Sequence, residues 1–260
     1  MKNIFSVLLI VLAASAGNSQ TKLKYKTVFF EDNSVETPLG KIAVTGAISE
    51  SDLIKAKVKF TNYTGKAIVI KPEECSYTSV GGEVFSKDKW MIIAPHGQEA
   101  KTIDVKGDNL KTEQTTLKIN GLYACNQVEV TKAPDMQLPP QQELTIGNFK
   151  LELDGFDRDG KEIMIKYKVR YMGDKVGLVD PSLVTLKSPA GNEFKNQIGK
   201  EKIFAFAKKE DYLIGFTYLS DSKKENVLHW NDAFAEGTPE KSVGASIELK
   251  MDLPKTKDKN

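Results

Sequence analysis

The stretch KVKFTNYTGKAIVIKPEECSYTSVGGEVF, Lys57 to Phe85, lies without a gap over KYKVRYMGDKVGLVDPSLVTLKSPAGNEF, Lys166 to Phe194. Lys57, Lys59, Lys66, Pro72, Gly82 and Phe85 face Lys166, Lys168, Lys175, Pro181, Gly191 and Phe194, and upstream Ile54 faces Ile163 at the same offset. Two further blocks follow in the same order. LKINGLYA from Leu117 resembles LHWNDAFA from Leu228, and VEVTKAP from Val128 resembles IELKMDLP from Ile247. The offset drifts between blocks, as loop insertions make it do. An ordered series of matches points to a duplicated module.

Each copy reads as β-structure. Ile54, Ala56, Val58 and Phe60 alternate with lysines, and Ile163, Ile165, Tyr167 and Val169 alternate with Met164, Lys166 and Lys168; a period of two marks a strand with one wet face. NYTG (Asn62 to Gly65) and MGDK (Met172 to Lys175) supply turns, as do Gly81-Gly82 and Ala190 to Asn192. The apolar runs WMIIA (Trp90 to Ala94) and IFAFA (Ile203 to Ala207) predict more deeply buried strands. Short strands broken by turns at this spacing predict an all-β chain of two tandem antiparallel sandwiches. Residues 22–134 and 144–254 are the expected modules, Pro139-Pro140 lies in a stiff linker over 135–143, and 255–260 is an expected polar tail.

The NYTGKAIVI turn, the strand introduced by Pro and a polar pair, and the GGEVF and AGNEF hairpins together resemble the small immunoglobulin-like modules of bacterial exported proteins. That resemblance covers both repeats. It implies a fold and a compartment and carries over no catalytic residue. Many such proteins are lipid-anchored, and here the lipidation cysteine is missing.

The first residues agree with export. Lys2, the apolar run IFSVLLIVLAA and the small residues Ala14 to Ala16 form the three parts of a secretory signal peptide, so residues 1–16 are expected to be removed and the mature chain to start near Gly17. The apolar run is shorter than the ~20 residues a spanning helix needs, and no membrane span is expected. The expected location is the periplasm or the medium. With 37 basic and 35 acidic side chains the net charge is +2, which gives no reason to expect a nucleic-acid partner.

Candidate chemistry is sparse. In an exported chain the two cysteines, Cys75 and Cys125, are expected to form a disulfide, with free thiols the alternative. There are two histidines, His96 and His229, and no HExxH, GxSxG or phosphate-cradling glycine loop, so no catalytic, metal or cofactor residue is assigned. Asp154, Asp157, Asp159 and Glu162 in DGFDRDGKE form a weak calcium candidate, although Asp159-Gly160 also suits a hairpin turn. Outward lysines on the two aligned strands either hold an anionic glycan or keep the sheets soluble. Asn62-Tyr63-Thr64 satisfies the glycosylation sequon. The preferred reading is a non-enzymatic interaction or structural protein with an unknown extracytoplasmic protein or glycan partner. The alternatives are a carbohydrate binder using Trp90, His229 and Trp230, and a carboxylate-based glycosidase. Recognition is expected in the loops that differ between copies, DGFDRDGKE and EGTPEKSVGAS (Glu236 to Ser246).

Overall fold

A computed structural model describes residues 24–79, 82–198, 203–220 and 225–260. The expected signal peptide and mature start lie outside the described residues. The chain is nearly all β. Its first half supplies β1 (Val28–Phe29), β2 (Asn33–Thr37), β3 (Gly40–Ser49), β4 (Leu53–Asn62), β5 (Ile68–Ile70), β6 (Cys75–Ser79), β7 (Gly82–Phe85), β8 (Met91–Ile93), β9 (Gln98–Lys106), β10 (Gln114–Ile119) and β11 (Leu122–Thr131). The second supplies β12 (Met136–Gln137), β13 (Glu143–Ile146), β14 (Phe149–Asp159), β15 (Glu162–Tyr171), β16 (Val176–Val179), β17 (Thr185–Lys187), β18 (Glu193–Lys195), β19 (Phe204–Phe206), β20 (Asp211–Leu219), β21 (Val227–His229), β22 (Phe234–Lys241) and β23 (Ala245–Lys250), and ends in α1 (Leu253–Lys259).

The two halves repeat one strand order. A sheet β1-β3-β4-β9, with β2 also on β3, matches β13-β14-β15-β20; β23-β10-β6-β7 matches β12-β21-β17-β18. Each aligned lysine strand, β4 and β15, is central in its sheet. Its inward residues enter a core: Ile54, Ala56, Val58 and Phe60 in the first, Ile163, Ile165, Tyr167 and Val169 in the second. The first core is mainly aliphatic. The second is built on rings, with Trp230 wholly buried among Tyr167, Phe216 and Phe234.

The sheets do not divide where the sequence expectation divides the chain. A sheet in the order β19-β16-β22-β11-β5-β8 takes three strands from each half and is joined at its centre by the β11–β22 ladder, Tyr123 opposite Lys241 through Thr131 opposite Phe234. Beyond that ladder the chain crosses in both directions: β12 follows β11 into the second core, and β23 follows β22 into the first. β12 pairs with β21, and Met136 and Leu138 are buried in the second core, so residues 135–143 are not a free linker. β23 lies within 144–254 yet pairs along its whole length with β10, and Ala245, Ile247 and Leu249 complete the first core. The expected second boundary is corrected accordingly: the first unit is discontinuous in sequence. VEVTKAP and IELKMDLP therefore occupy different elements, β11 and β23, because alternation alone cannot tell one half-buried strand from another.

The expected recognition loop EGTPEKSVGAS is the crossing itself, running through β22 into β23. Gly244 makes the entry possible, since a Cβ there would lie 2.6 Å from the Ile119 carbonyl oxygen. The expected polar tail is the helix α1. Asp252 caps it by accepting from the Lys255 amide, and buried Thr256 accepts from the Phe29 amide through Oγ1 at 3.0 Å. Asn260 then bonds both backbone groups of Thr27.

The sequon asparagine is structural. Asn62 is 2% exposed; its Nδ2 donates to the carbonyls of Lys66 and Ala94, and its Oδ1 accepts from the Thr64 amide and hydroxyl. These bonds tie the turn after β4 to the turn before β9 and leave no room for an N-linked sugar.

Leu249→Ala should destabilise by about 3 kcal/mol through lost burial and an unfilled cavity, whereas Leu253→Ala, 40% exposed, should have little effect. Denaturant titration of the two variants compares them. Asn62→Ala should cost about 2 kcal/mol by leaving two carbonyls without donors, read as a lower urea midpoint.

Candidate functional site

The shared sheet is bent enough to bring its end strands, β8 and β19, back into contact. Small side chains allow the bend: Ala67, Cys125, Ala205 and Ala235 fill its inside with Val69 and Val176. β8 and β19 are not hydrogen-bonded to each other, and a groove opens along this seam between one half and the other. One part, of about 220 Å³, is lined by His96, Glu99, Phe204 and Tyr212 with Ile92 and Ala205; the adjoining part, of about 170 Å³, shares Ile92, Glu99 and Tyr212 and adds Trp90, Lys101 and Glu210.

Backbone geometry positions these residues. Glu99 is the second residue of β9, opposite Phe60, and Tyr212 the second of β20, opposite Val169, so they hold equivalent places in the two copies and line the groove from its two sides. The turns before them are equivalent too, with His96 and Lys209 each at positive φ, 54° and 64°. Glu210 Oε2 accepts from the Ala207 amide at 2.8 Å and fixes the second turn. The Tyr212 ring stands edge-on against Phe206 at 4.9 Å and thereby rests on the second core. Burial, then the Glu210 and Glu99 carboxylates, raise the Tyr212 pKa, so its hydroxyl stays a donor at neutral pH.

At the groove's end is a cluster found in the first copy alone. Lys71 Nζ sits 4.5 Å from the Trp90 ring and 4.2 Å from the Tyr123 ring, a cation–π contact on both. Trp90 Nε1 donates to Glu73. Glu74 accepts from Lys241 Nζ at 2.7 Å and the Tyr123 hydroxyl at 2.5 Å; the Lys241 bond first, and the Tyr123 bond second, lower its pKa. Lys241 comes from β22, so this cluster also fastens the two halves.

Other sequence candidates lie elsewhere. Trp90 is half-buried at the groove, whereas Trp230 is a core residue and offers no open indole face. His229 Nδ1 is 2.8 Å from Asp135 on the β12–β21 side. Asp154, Asp157, Asp159 and Glu162 belong to the β14–β15 hairpin; Asp154 sits at a bulge, and among the described residues no group of three or more His, Cys, Asp or Glu converges to hold a metal ion. The expected Cys75–Cys125 disulfide is not formed. Cys75 packs in the first core and donates to the Lys71 carbonyl, whereas Cys125 packs in a separate cluster on the shared sheet, so the two thiols are buried among different neighbours. Sequence reading missed Glu99, Phe204, Glu210 and Tyr212. Their only signal is a polar or aromatic residue near the start of each of two aligned strands, and nothing local says that the two starts line one groove.

The groove offers carboxylate acceptors, a phenolic donor and ring surface, which suits binding of a cationic or hydroxyl-rich group. Its lining contains no serine, threonine or cysteine. No helix among the described residues is long and apolar enough to cross a membrane. No family model matches the chain, and no curated protein matches it. Among solved structures, AerE from Microcystis aeruginosa aligns over 86% of this chain and 98% of its own at 9% identity, with a TM-score of 0.11, which carries no likeness of fold.

Burial raises the Cys75 thiol to about 12 and the Cys125 thiol to about 11. Neither should react with iodoacetamide in native protein at pH 8, and both should react in denaturant. Because these folded values lie above the ordinary 9.0, their contribution is fully present below pH 9 and is lost as pH rises through the folded values. A pH series of melting temperatures should fall on the alkaline side.

Proposed function

We propose that the chain is an exported, non-enzymatic interaction protein, two immunoglobulin-like modules fastened as one body, that recognises an extracytoplasmic protein partner at the seam groove. The observation that carries this reading is that the groove is built jointly by β8–β9 and β19–β20, so neither half presents it alone. Sites at the junction of two packed units are a common place for ligands. The core-anchored Tyr212 ring, 41% exposed, and half-buried Trp90 are the kind of rigid aromatic surface on which binding energy concentrates.

The proximity of Glu99 and Glu210 to Phe204 and Tyr212 favours carbohydrate as a second reading, since sugars use ring faces together with carboxylate acceptors. A glycosidase would use the same two acids as its working pair.

Affinity capture from the native extracytoplasmic fraction, run in parallel with wild type and Tyr212→Ala, tests the first reading. A defined protein retained by wild type and weakened at least about tenfold by the variant is expected, as for an interface hot spot. Turnover of a glycan that is abolished by Glu99→Gln or Glu210→Gln would replace this reading with the enzymatic one.

A further inference from the structure

Lys55, Lys57 and Lys59 stand on the solvent face of β4, all exposed. Protection of a sheet edge does not explain them, because β4 is flanked on both sides, by β3 and β9. The register shows what surrounds them. Lys59 lies between Ala43 and Ala100, and Lys57 between Thr45 and Thr102; only Lys55 has a carboxylate opposite, Asp104. None of the three makes an ion pair among the described residues, and Lys255 of α1, set over Phe29, stands beyond Lys55 on the same face. Alternate residues on a strand are about 6.8 Å apart, so the ammonium groups form a straight row, with small neighbours beside Lys57 and Lys59 and with Ile48 and Asp104 beside Lys55.

The equivalent strand of the other copy has fewer unpaired cations: Met164 stands at the place of Lys55, and Lys166, between Gly155 and Gly215, is the one lysine or arginine of β15 without an ion pair among the described residues. Arg170 and Lys168 both reach Asp211, at 2.7 and 3.5 Å, and Lys168 has Glu152 directly opposite. The same strand thus carries three lysines without an ion pair in the first copy and one in the second. Solubility alone asks for charge of either arrangement. An unneutralised row of like charges is unfavourable by self-repulsion, and a linear polyanion lying along β4 would relieve it.

We infer that the solvent face of β4 binds an acidic polysaccharide, with Lys55, Lys57 and Lys59 contacting successive carboxylate or sulfate groups along the chain. A glycan fits this face better than a nucleic acid does, because the residues in register with Lys57 and Lys59 are alanines and threonines, and the Phe29 ring beyond Lys55 is covered by Lys255. They also provide no apolar wedge for a lipid surface. This site is separate from the seam groove and stands or falls independently of it.

The test uses the mature chain and immobilised polygalacturonate. Wild type should bind, with affinity falling about 20-fold between about 50 and about 200 mM salt, as release of counterions by three contacts requires. Lys55→Gln/Lys57→Gln/Lys59→Gln should weaken binding at least about tenfold at the lower salt, and the corresponding triple arginine variant should retain it. Lys168→Gln/Arg170→Gln should stay within about twofold of wild type, since both charges are already paired with Asp211. Melting temperatures confirm that each variant is folded. Absence of polygalacturonate binding, equal loss from the glutamine triple on β4 and the glutamine pair on β15, or tighter binding of single-stranded DNA or phosphatidylglycerol vesicles would overturn the inference.

Discussion

The antiparallel ladder between β11 and β22 is the constraint from which the rest of the molecule follows. Its hydrogen bonds join one half of the chain to the other at the centre of a sheet, where neither strand has an edge to lose. Because each strand runs on past the ladder, the chain emerges on the far side and adds its next segment, β12 or β23, to the other half's sheet. Both cores are therefore completed by residues from across the junction. Separating the halves would expose Met136 and Leu138 on one side and Ala245, Ile247 and Leu249 on the other, so packing and connectivity oppose it together.

The same ladder creates the seam. A sheet of six strands bent round alanine and cysteine side chains brings β8 to β19, and their unpaired flanks leave a groove with a pseudo-twofold frame. The frame is symmetric and the side chains are not: Glu99, Lys71, Trp90 and Tyr123 have Tyr212, Asp180, Ile203 and Ala235 at the matching places. The strand order repeats while the surface side chains differ. The lysines of β4 and the Asp211-paired Lys168 and Arg170 of β15 show the same difference on the outer sheets.

Much of the fold was legible in the sequence. The alternation over Leu53–Asn62 and Glu162–Tyr171 identified the two central strands correctly, and the gapless match carried through the following turns, the single-turn helices Pro72–Glu74 and Pro181–Leu183, and the hairpins β6–β7 and β17–β18. These elements are specified by local pattern, because a half-buried strand must place every second side chain in the core. The cysteines were less legible. Two buried thiols and a disulfide leave the same trace in a sequence, and only their assignment to separate clusters distinguished them.

By itself the sequence determined the all-β class, the duplication, the central strands and their wet and dry faces, since period and turn chemistry are properties of neighbouring residues. Tertiary structure decided which half receives each terminal strand, that Leu253 to Lys259 form a docked helix, that Trp230 is core while Trp90 borders the groove, and that Glu99 and Tyr212 line one groove. Those outcomes depend on pairing between segments far apart in the chain, and β23 alternates in the same way whether its partner is β10 or β21. Only the course of β22 across the junction places it within reach of β10.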